Sequence, residues 1–185
     1  GVIDRIAYTE NGIELPLRSK QYLVNAPLQQ FFYTAQSNLL TYTEDMSNAA
    51  WTKNSITVTD QSVYVNGLER GITLTPAAAT AVHSVTQSIS FTTGNAYTIA
   101  ALFKANGLTQ AYMELPDSRF PASANAVYDL SDGSVDTTGA GADDATARTI
   151  ADGWVLCTLT ATSDSTGSGA VVYSPASGGS NNFAG

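Results

Sequence analysis

His83-Ser84-Val85-Thr86-Gln87-Ser88-Ile89-Ser90-Phe91 is the stretch that decides the fold class. His83, Val85, Gln87, Ile89 and Phe91 fall on one side of an extended chain, and Ser84, Thr86, Ser88 and Ser90 on the other. A period of two with a hydroxyl-bearing face is the pattern of a half-buried β-strand. The strand reading extends back to Ala81. After the Gly94-Asn95 turn, Tyr97 to Lys104 is apolar on both faces until Lys104, which predicts a central position in a sheet.

The same punctuation continues outward from this pair. Toward the N-terminus, Ser55 to Thr59, Ser62 to Val65 and Gly71 to Thr75 are short β-like runs, broken by Asn66-Gly67 and stopped by Pro76. Toward the C-terminus, Thr109 to Leu115 ends at Pro116 and Asn125 to Leu130 at Asp132-Gly133. Asp136 to Asp144 reads as a Gly- and Asp-rich loop. Ala145 to Ile150, Trp154 to Thr162 and Gly169 to Ser174 complete the set. Many short strands separated by Gly, Asn, Asp and Pro predict an all-β, antiparallel sandwich or barrel. Ile3 to Tyr8 and Ile13 to Leu17, on either side of Asn11-Gly12, predict an N-terminal β-hairpin arm. Residues 1–37 are therefore set apart as an arm or anchoring segment. Such an arm caps the sandwich or pairs with another chain, and both readings stay open.

Composition agrees and narrows the function classes. Only 13% of the 185 residues are charged, about half the usual share of roughly 25%. Long solvent-facing helices need more Glu, Lys and Arg than that. Net charge is -8, and the eight basic residues are scattered from Arg5 to Arg148. Nucleic acid demands clustered cations to displace its counterions, so neither nucleic acid nor an anionic membrane is an expected partner. No apolar run approaches the ~18 residues that span a bilayer. Gly1 to Arg5 carries both charge signs with no apolar core behind it, unlike a signal peptide.

Reactive chemistry is hard to assemble from these residues. Cys157 is the single cysteine and sits in a strand-like run, where a thiol serves as a small apolar group. His83 is the single histidine, in a different strand, on a face shared with Val85, Ile89 and Phe91. There is no Gly-x-Ser-x-Gly elbow, phosphate loop or His-x-x-x-His pair. The acidic pairs Glu44-Asp45 and Asp143-Asp144 are sequence neighbours, whereas glycoside cleavage needs two carboxylates facing across a cleft. The expectation is a protein that is not an enzyme, with no catalytic residues and no required cofactor. Asp136, Asp143 and Asp144 are the candidate Ca²⁺ ligands, because calcium takes oxygen ligands from loops; the alternative is a solvated acidic loop. Trp51 and Trp154 read first as core or rim anchors. Trp51, Tyr112 and Tyr128 are the candidate sugar-stacking rings.

The run Asn38-Leu39-Leu40-Thr41-Tyr42-Thr43-Glu44-Asp45-Met46-Ser47-Asn48-Ala49-Ala50-Trp51-Thr52-Lys53 resembles the opening of jelly-roll domains of bacteriophage virion proteins. These are head spike or head fibre proteins and some tail-fibre components, with a fold similar to carbohydrate-binding modules. Met46 stands where the family has an aromatic residue. Tyr97 to Ala105 and Asp152 to Thr160 resemble two further strands of the family, so the likeness covers Asn38 to about Thr162. It implies a jelly-roll β-sandwich over 38–185 and a structural role on the virion surface, as a capsid-bound head fibre, spike or decoration module. It also implies a homo-oligomer, a trimer by analogy, whose other partners are capsid or further virion proteins. The alternative it carries is a tail-fibre domain that binds a host glycan. Family members close with a strand similar to "GVYLWGAQLE", and the sequence reaches Asn182-Phe183-Ala184-Gly185 where that strand is due. The resemblance thus leads us to expect a longer parent protein, or a last strand lent by a neighbouring chain.

Overall fold

The computed structural model describes the backbone of residues 2–3, 7–9, 12–14, 17–18, 38–65 and 69–185, and the side chains of 38–59 and 71–185. The chain divides into two units, Gly1–Asn38 and Leu39–Gly185. In the first, β1 (Val2–Ile3) pairs with β4 (Leu17–Arg18), and β2 (Ala7–Thr9) with β3 (Gly12–Glu14). Both pairs are antiparallel, and the innermost partners are Thr9 and Gly12. The apolar runs at 21–24 and 28–34 lie outside the described residues.

The second unit is all-β and antiparallel. Its larger sheet has six strands in the order β13-β12-β11-β16-β9-β5. These are β5 (Thr52–Asn54), β9 (Ser84–Phe91), β11 (Gln110–Glu114), β12 (Asn125–Asp129), β13 (Ser134–Thr138) and β16 (Gly167–Ala176). The smaller sheet has three, in the order β10-β15-β14: β10 (Ala96–Lys104), β14 (Asp144–Thr149) and β15 (Trp154–Thr162). The two sheets pack face to face as in a β-sandwich. A separate ribbon joins β6 (Ile56–Val65) to β7 (Glu69–Pro76), and β8 (Ala81–Val82) pairs with β17 (Asn182–Phe183).

Alternation along each strand supplies the core between the sheets. Val155, Cys157, Leu159 and Ala161 point inward from β15, and Ile99 from β10. The larger sheet answers with Val85 and Phe91 of β9, Val171 and Tyr173 of β16, Ala111 and Met113 of β11, and Ala126 and Tyr128 of β12. Phe91, Tyr97 and Phe120 meet edge to face, with ring centroids 4.9 to 5.9 Å apart, the arrangement aromatic quadrupoles favour. The outer face of the smaller sheet carries threonines instead. Thr98 and Thr160 share a hydrogen bond of 2.8 Å, and Thr146 and Thr158 one of 2.6 Å.

Four sequence expectations are corrected here. The run from Ser55 to Val65 is one strand broken by an irregularity between Gln61 and Tyr64, not two strands. The run from Ala81 to Phe91 divides at His83 into β8 and β9, since His83 donates its backbone N–H to Asn181 O while Ser84 onward pairs with β16 and β5. The predicted loop from Asp136 is partly strand: Thr137 and Thr138 lie opposite Val127 and Ala126 at the sheet edge, where exposed polar residues complete a ladder without needing burial. Finally, β10 is not central. Among the described residues only β15 pairs with it, although its sequence is apolar on both faces.

The segment before β5 is fastened by Trp51. Its ring is buried against Tyr173, with centroids 5.9 Å apart, and its Nε1–H donates to Tyr42 O at 2.9 Å. Lys53 Nζ donates to Ser47 O at 2.7 Å and to Asn48 O at 2.6 Å. Gln87 holds the other end, accepting from Thr41 N at 2.8 Å and donating to Thr41 O at 3.0 Å. Removing the indole leaves a cavity and takes from Tyr42 O one of its two donors, the other being Asp45 N–H at 3.0 Å. Trp51→Ala is expected to cost about 3–5 kcal/mol, measured by urea unfolding, whereas Leu39→Ala, at an exposed position, should change stability by less than about 0.5 kcal/mol.

Candidate functional site

A cleft of about 810 Å³ is bordered by residues of β7 and β10. That lies within the roughly 300–1,000 Å³ of ordinary ligand sites. Gly71 to Pro76 of β7 and Ala101 to Lys104 of β10 border it, continued by the Ala105 to Leu108 turn. Ala111 and Tyr173, inward-facing residues of the larger sheet, also line it, with Leu130 just after β12, Trp154, Met46 and the chain's own Ala184 and Gly185. Lys104 Nζ sits 5.9 Å from the centre of the Trp154 ring, within the range of a cation–π contact.

Two side chains here break a general rule. Buried polar atoms nearly always have a hydrogen-bond partner, yet Trp154 Nε1 and Tyr173 Oη are buried with none among the described residues. Trp154 is 8% exposed and Tyr173 2%. The Trp154 indole can only donate, and the Tyr173 hydroxyl can donate as well as accept. Burial holds the Tyr173 hydroxyl well above the usual phenol range, so it keeps its proton. Both side chains line the cleft, while the two polar atoms themselves are closed off from solvent.

The residues singled out from sequence lie elsewhere or face inward. Trp51 and Tyr128 are core residues, 2% and 0% exposed; Tyr128 Oη donates to Thr158 O at 2.8 Å. Neither ring offers a face to solvent, so neither can stack on a sugar in this fold. Tyr112 is half-buried on the outer face of the larger sheet, where its hydroxyl donates to Glu114 Oε2 at 2.6 Å. The three rings do not form one surface. Nor do the three candidate calcium ligands converge: among the described residues no group of three acidic, His or Cys side chains could hold a metal. Asp136 Oδ2 accepts from Gln110 Nε2 at 2.8 Å and Asp143 Oδ2 from Thr162 Oγ1 at 2.7 Å, while Asp144 is an exposed residue of β14.

The reactive residue types are occupied in packing. His83 is fully buried; its Nδ1 lies 2.6 Å from Ser55 O and its Nε2 2.9 Å from Phe183 O. The ring bridges the strand ends around β8 and β17, and Phe183 packs on it at 4.7 Å. Ser174 Oγ donates to the backbone carbonyl of His83. Cys157 is buried in the core, and burial pushes its thiol up to about 12, far from a nucleophilic thiolate. No match to a protein-family model was found, and no curated protein matches the chain.

Sequence reasoning passed over Tyr173 and the β7 edge. The available signal was the apolar set Tyr97, Ile99, Ala101 and Phe103 on one face of β10, of which Ala101 and Phe103 line the cleft. Trp154 was singled out, but its unpaired indole nitrogen is a fact of packing alone.

Two outcomes follow. Cys157 should be silent to a thiol reagent in the native protein and react stoichiometrically once urea unfolds it. Glu114 is held above the usual carboxylate range, chiefly by burial and secondarily by Asp117, against the lowering effect of the Tyr112 hydrogen bond. A carboxyl that binds its proton more tightly when folded contributes stability fully below its unfolded value near 4.5, and that contribution fades as pH rises through the folded value. Glu114→Gln should thus raise Tm by roughly 1–3 °C at pH 7 and leave it unchanged at about pH 4, as read by calorimetry.

Proposed function

We propose that this chain is a non-enzymatic structural module of a phage virion, working by oligomeric assembly and surface display. The observation that carries the reading is the role of the 38–53 segment. Its turn, its buried Trp51 and its lysine clamp act as a structural latch on the larger sheet, which is what a shape-holding domain requires of the motif that resembles virion proteins. The order of strand pairing in the two sheets is in keeping with the jelly-roll that the resemblance implies. The chain passes from β9 to β10 to β11 between opposite sheets, and pairs β9 with β16 and β10 with β15 in nested fashion, as in a hairpin rolled into a sandwich.

The chemistry around the candidate reactive groups is in keeping with a passive role. Among the described residues His83 and Cys157 serve the core, and Glu114 meets Tyr112 rather than a second carboxylate across a cleft. The partners in this reading are other copies of the chain, a trimer by resemblance, together with capsid proteins at the virion surface. Host-glycan recognition, the competing reading, loses Trp51 and Tyr128 to the core and retains only Tyr112.

The purified protein is expected to run as a discrete oligomer in light scattering, and density for it is expected on the outside of imaged phage particles. A monomer absent from every particle would sink the proposal. Reproducible glycan-array binding abolished by Tyr112→Ala would replace it with the carbohydrate reading.

A further inference from the structure

We infer that Asn106–Gly107, in the turn between β10 and β11, is a site of self-modification in the folded protein. Residue 106 is converted there from asparagine to aspartate and isoaspartate, with water as the only co-reactant. The inference is independent of the virion reading. The reaction needs an accessible carboxamide, a main-chain nitrogen free to meet it, and no side chain on the next residue to obstruct the approach. Asn106 and Gly107 are both exposed. Among the described residues, neither the Asn106 carboxamide nor the Gly107 N–H has a hydrogen-bond partner. A Cβ placed on Gly107 would meet nothing within 4 Å, so that side of the turn is open. The backbone of Gly107 has a φ of 92°, a conformation that favours glycine. The turn thus keeps in place the residue type that leaves the attack unhindered.

The step balances without an oxidant or a cofactor. The Gly107 nitrogen gives up its proton and forms a bond to Asn106 Cγ; the Cγ–Nδ2 bond breaks and ammonia leaves, closing a five-membered imide. Water then opens the ring at one of its two carbonyls. Opening at Cγ yields aspartate in the original backbone. Opening at the main-chain carbonyl yields isoaspartate, whose chain runs through Cβ and Cγ and is longer by one carbon. Comparable pairs are held differently. Gly133 N–H donates to Asp129 O at 3.0 Å, Asp132 Oδ1 accepts from Ser134 N–H at 3.0 Å, and a Cβ on Gly133 would run into Thr149. Asp152–Gly153 starts from a carboxylate, a poor electrophile. Asn11 and Asn66, each before a glycine, lie outside the described residues. The product at residue 106 has a definite place. Asn106 and Gly107 line the cleft, and Lys104 is the one charged side chain among its described lining residues. Conversion sets a carboxylate two residues along the chain from that ammonium. The isoaspartyl form also lengthens the corner by which the chain passes from the smaller sheet to the larger. Ammonia is lost to solvent, so the converted fraction grows with the age of the protein.

The test incubates the full chain at neutral and mildly alkaline pH, folded and in urea, and follows each asparagine by peptide mass mapping. Residue 106 is expected to convert in the folded protein at a rate within about tenfold of that in urea, a barrier difference below ~1.4 kcal/mol. Asn48, whose Oδ1 accepts from Ala50 N–H at 2.9 Å, should stay an amide. Both products should appear, and the rate should rise with hydroxide concentration because the attacking nitrogen must lose its proton. Hydroxylamine, which intercepts the imide, should cut the folded chain after residue 106. Gly107→Ala should slow the conversion by about tenfold or more. Should the positive φ keep that variant from folding, Asn106→Gln serves in its place: it leaves the turn glycine untouched, must close a larger ring, and should lose the acidic isoform. Residue 106 remaining an amide in the folded protein, whatever it does in urea, would overturn the inference. Aspartate as the sole product, the mark of direct hydrolysis without the imide, would do the same. Acidic isoforms that accumulate equally in Asn106→Gln would place the reaction at another residue and overturn it as well.

Discussion

When β16 takes its place between β9 and β11, it carries Val171 and Tyr173 into the space that β15 fills with Val155, Cys157 and Leu159 from the opposite sheet. The 39–185 unit depends on that meeting. Its determinants are two long-range antiparallel pairings, β9 with β16 and β10 with β15, in unbroken register. A slip of one residue in either would turn its apolar set outward. The latch around Trp51 is secondary to this constraint. It closes the larger sheet by packing on Tyr173, and it works only because β16 has already placed that ring. Pairings that span so much sequence close large loops before any contact rewards them, so the unit should fold slowly for its size.

Much of this was legible in the residues. The alternation from Val85 to Phe91, and the limits of Trp154 to Thr162, predicted strands because one buried face imposes a period of two. What sequence could not supply was which strand neighbours which. Thr137 and Thr138 were read as loop because Asp136, Gly139 and Gly141 around them are turn residues and no apolar alternation marks a buried face; their place comes from pairing with Val127 and Ala126. His83 was assigned correctly to a packed face, but the break in the strand at that residue follows from its bonds to Asn181, Ser55 and Phe183, distant in the chain and invisible to local pattern.

The site was less legible than the fold, for a physical reason. An aromatic residue has the same sequence signature whether it fills a core or faces a ligand, since both uses bury a large ring. Trp51 and Tyr128 are of the first kind, and only their depth reveals it. Acidic residues are similarly ambiguous. Asp136 and Asp143 accept single hydrogen bonds from Gln110 and Thr162, a use that exposed carboxylates find readily without any ion.

The tension left in the structure lies at β10. Beside it, among the described residues, Trp154 Nε1 and Tyr173 Oη are buried donors without partners, which departs from the consistency across levels that natural sequences normally achieve. Each orphan donor costs about 1–3 kcal/mol of desolvation, and the walls lose dispersion contacts across the void. Other buried donors in the unit are met: the Trp51 indole has Tyr42 O, the Tyr128 hydroxyl has Thr158 O, and Gln87 bonds both backbone groups of Thr41. The two exceptions belong to side chains that line one cleft, so among the described residues the unmet donors mark a single place in the packing.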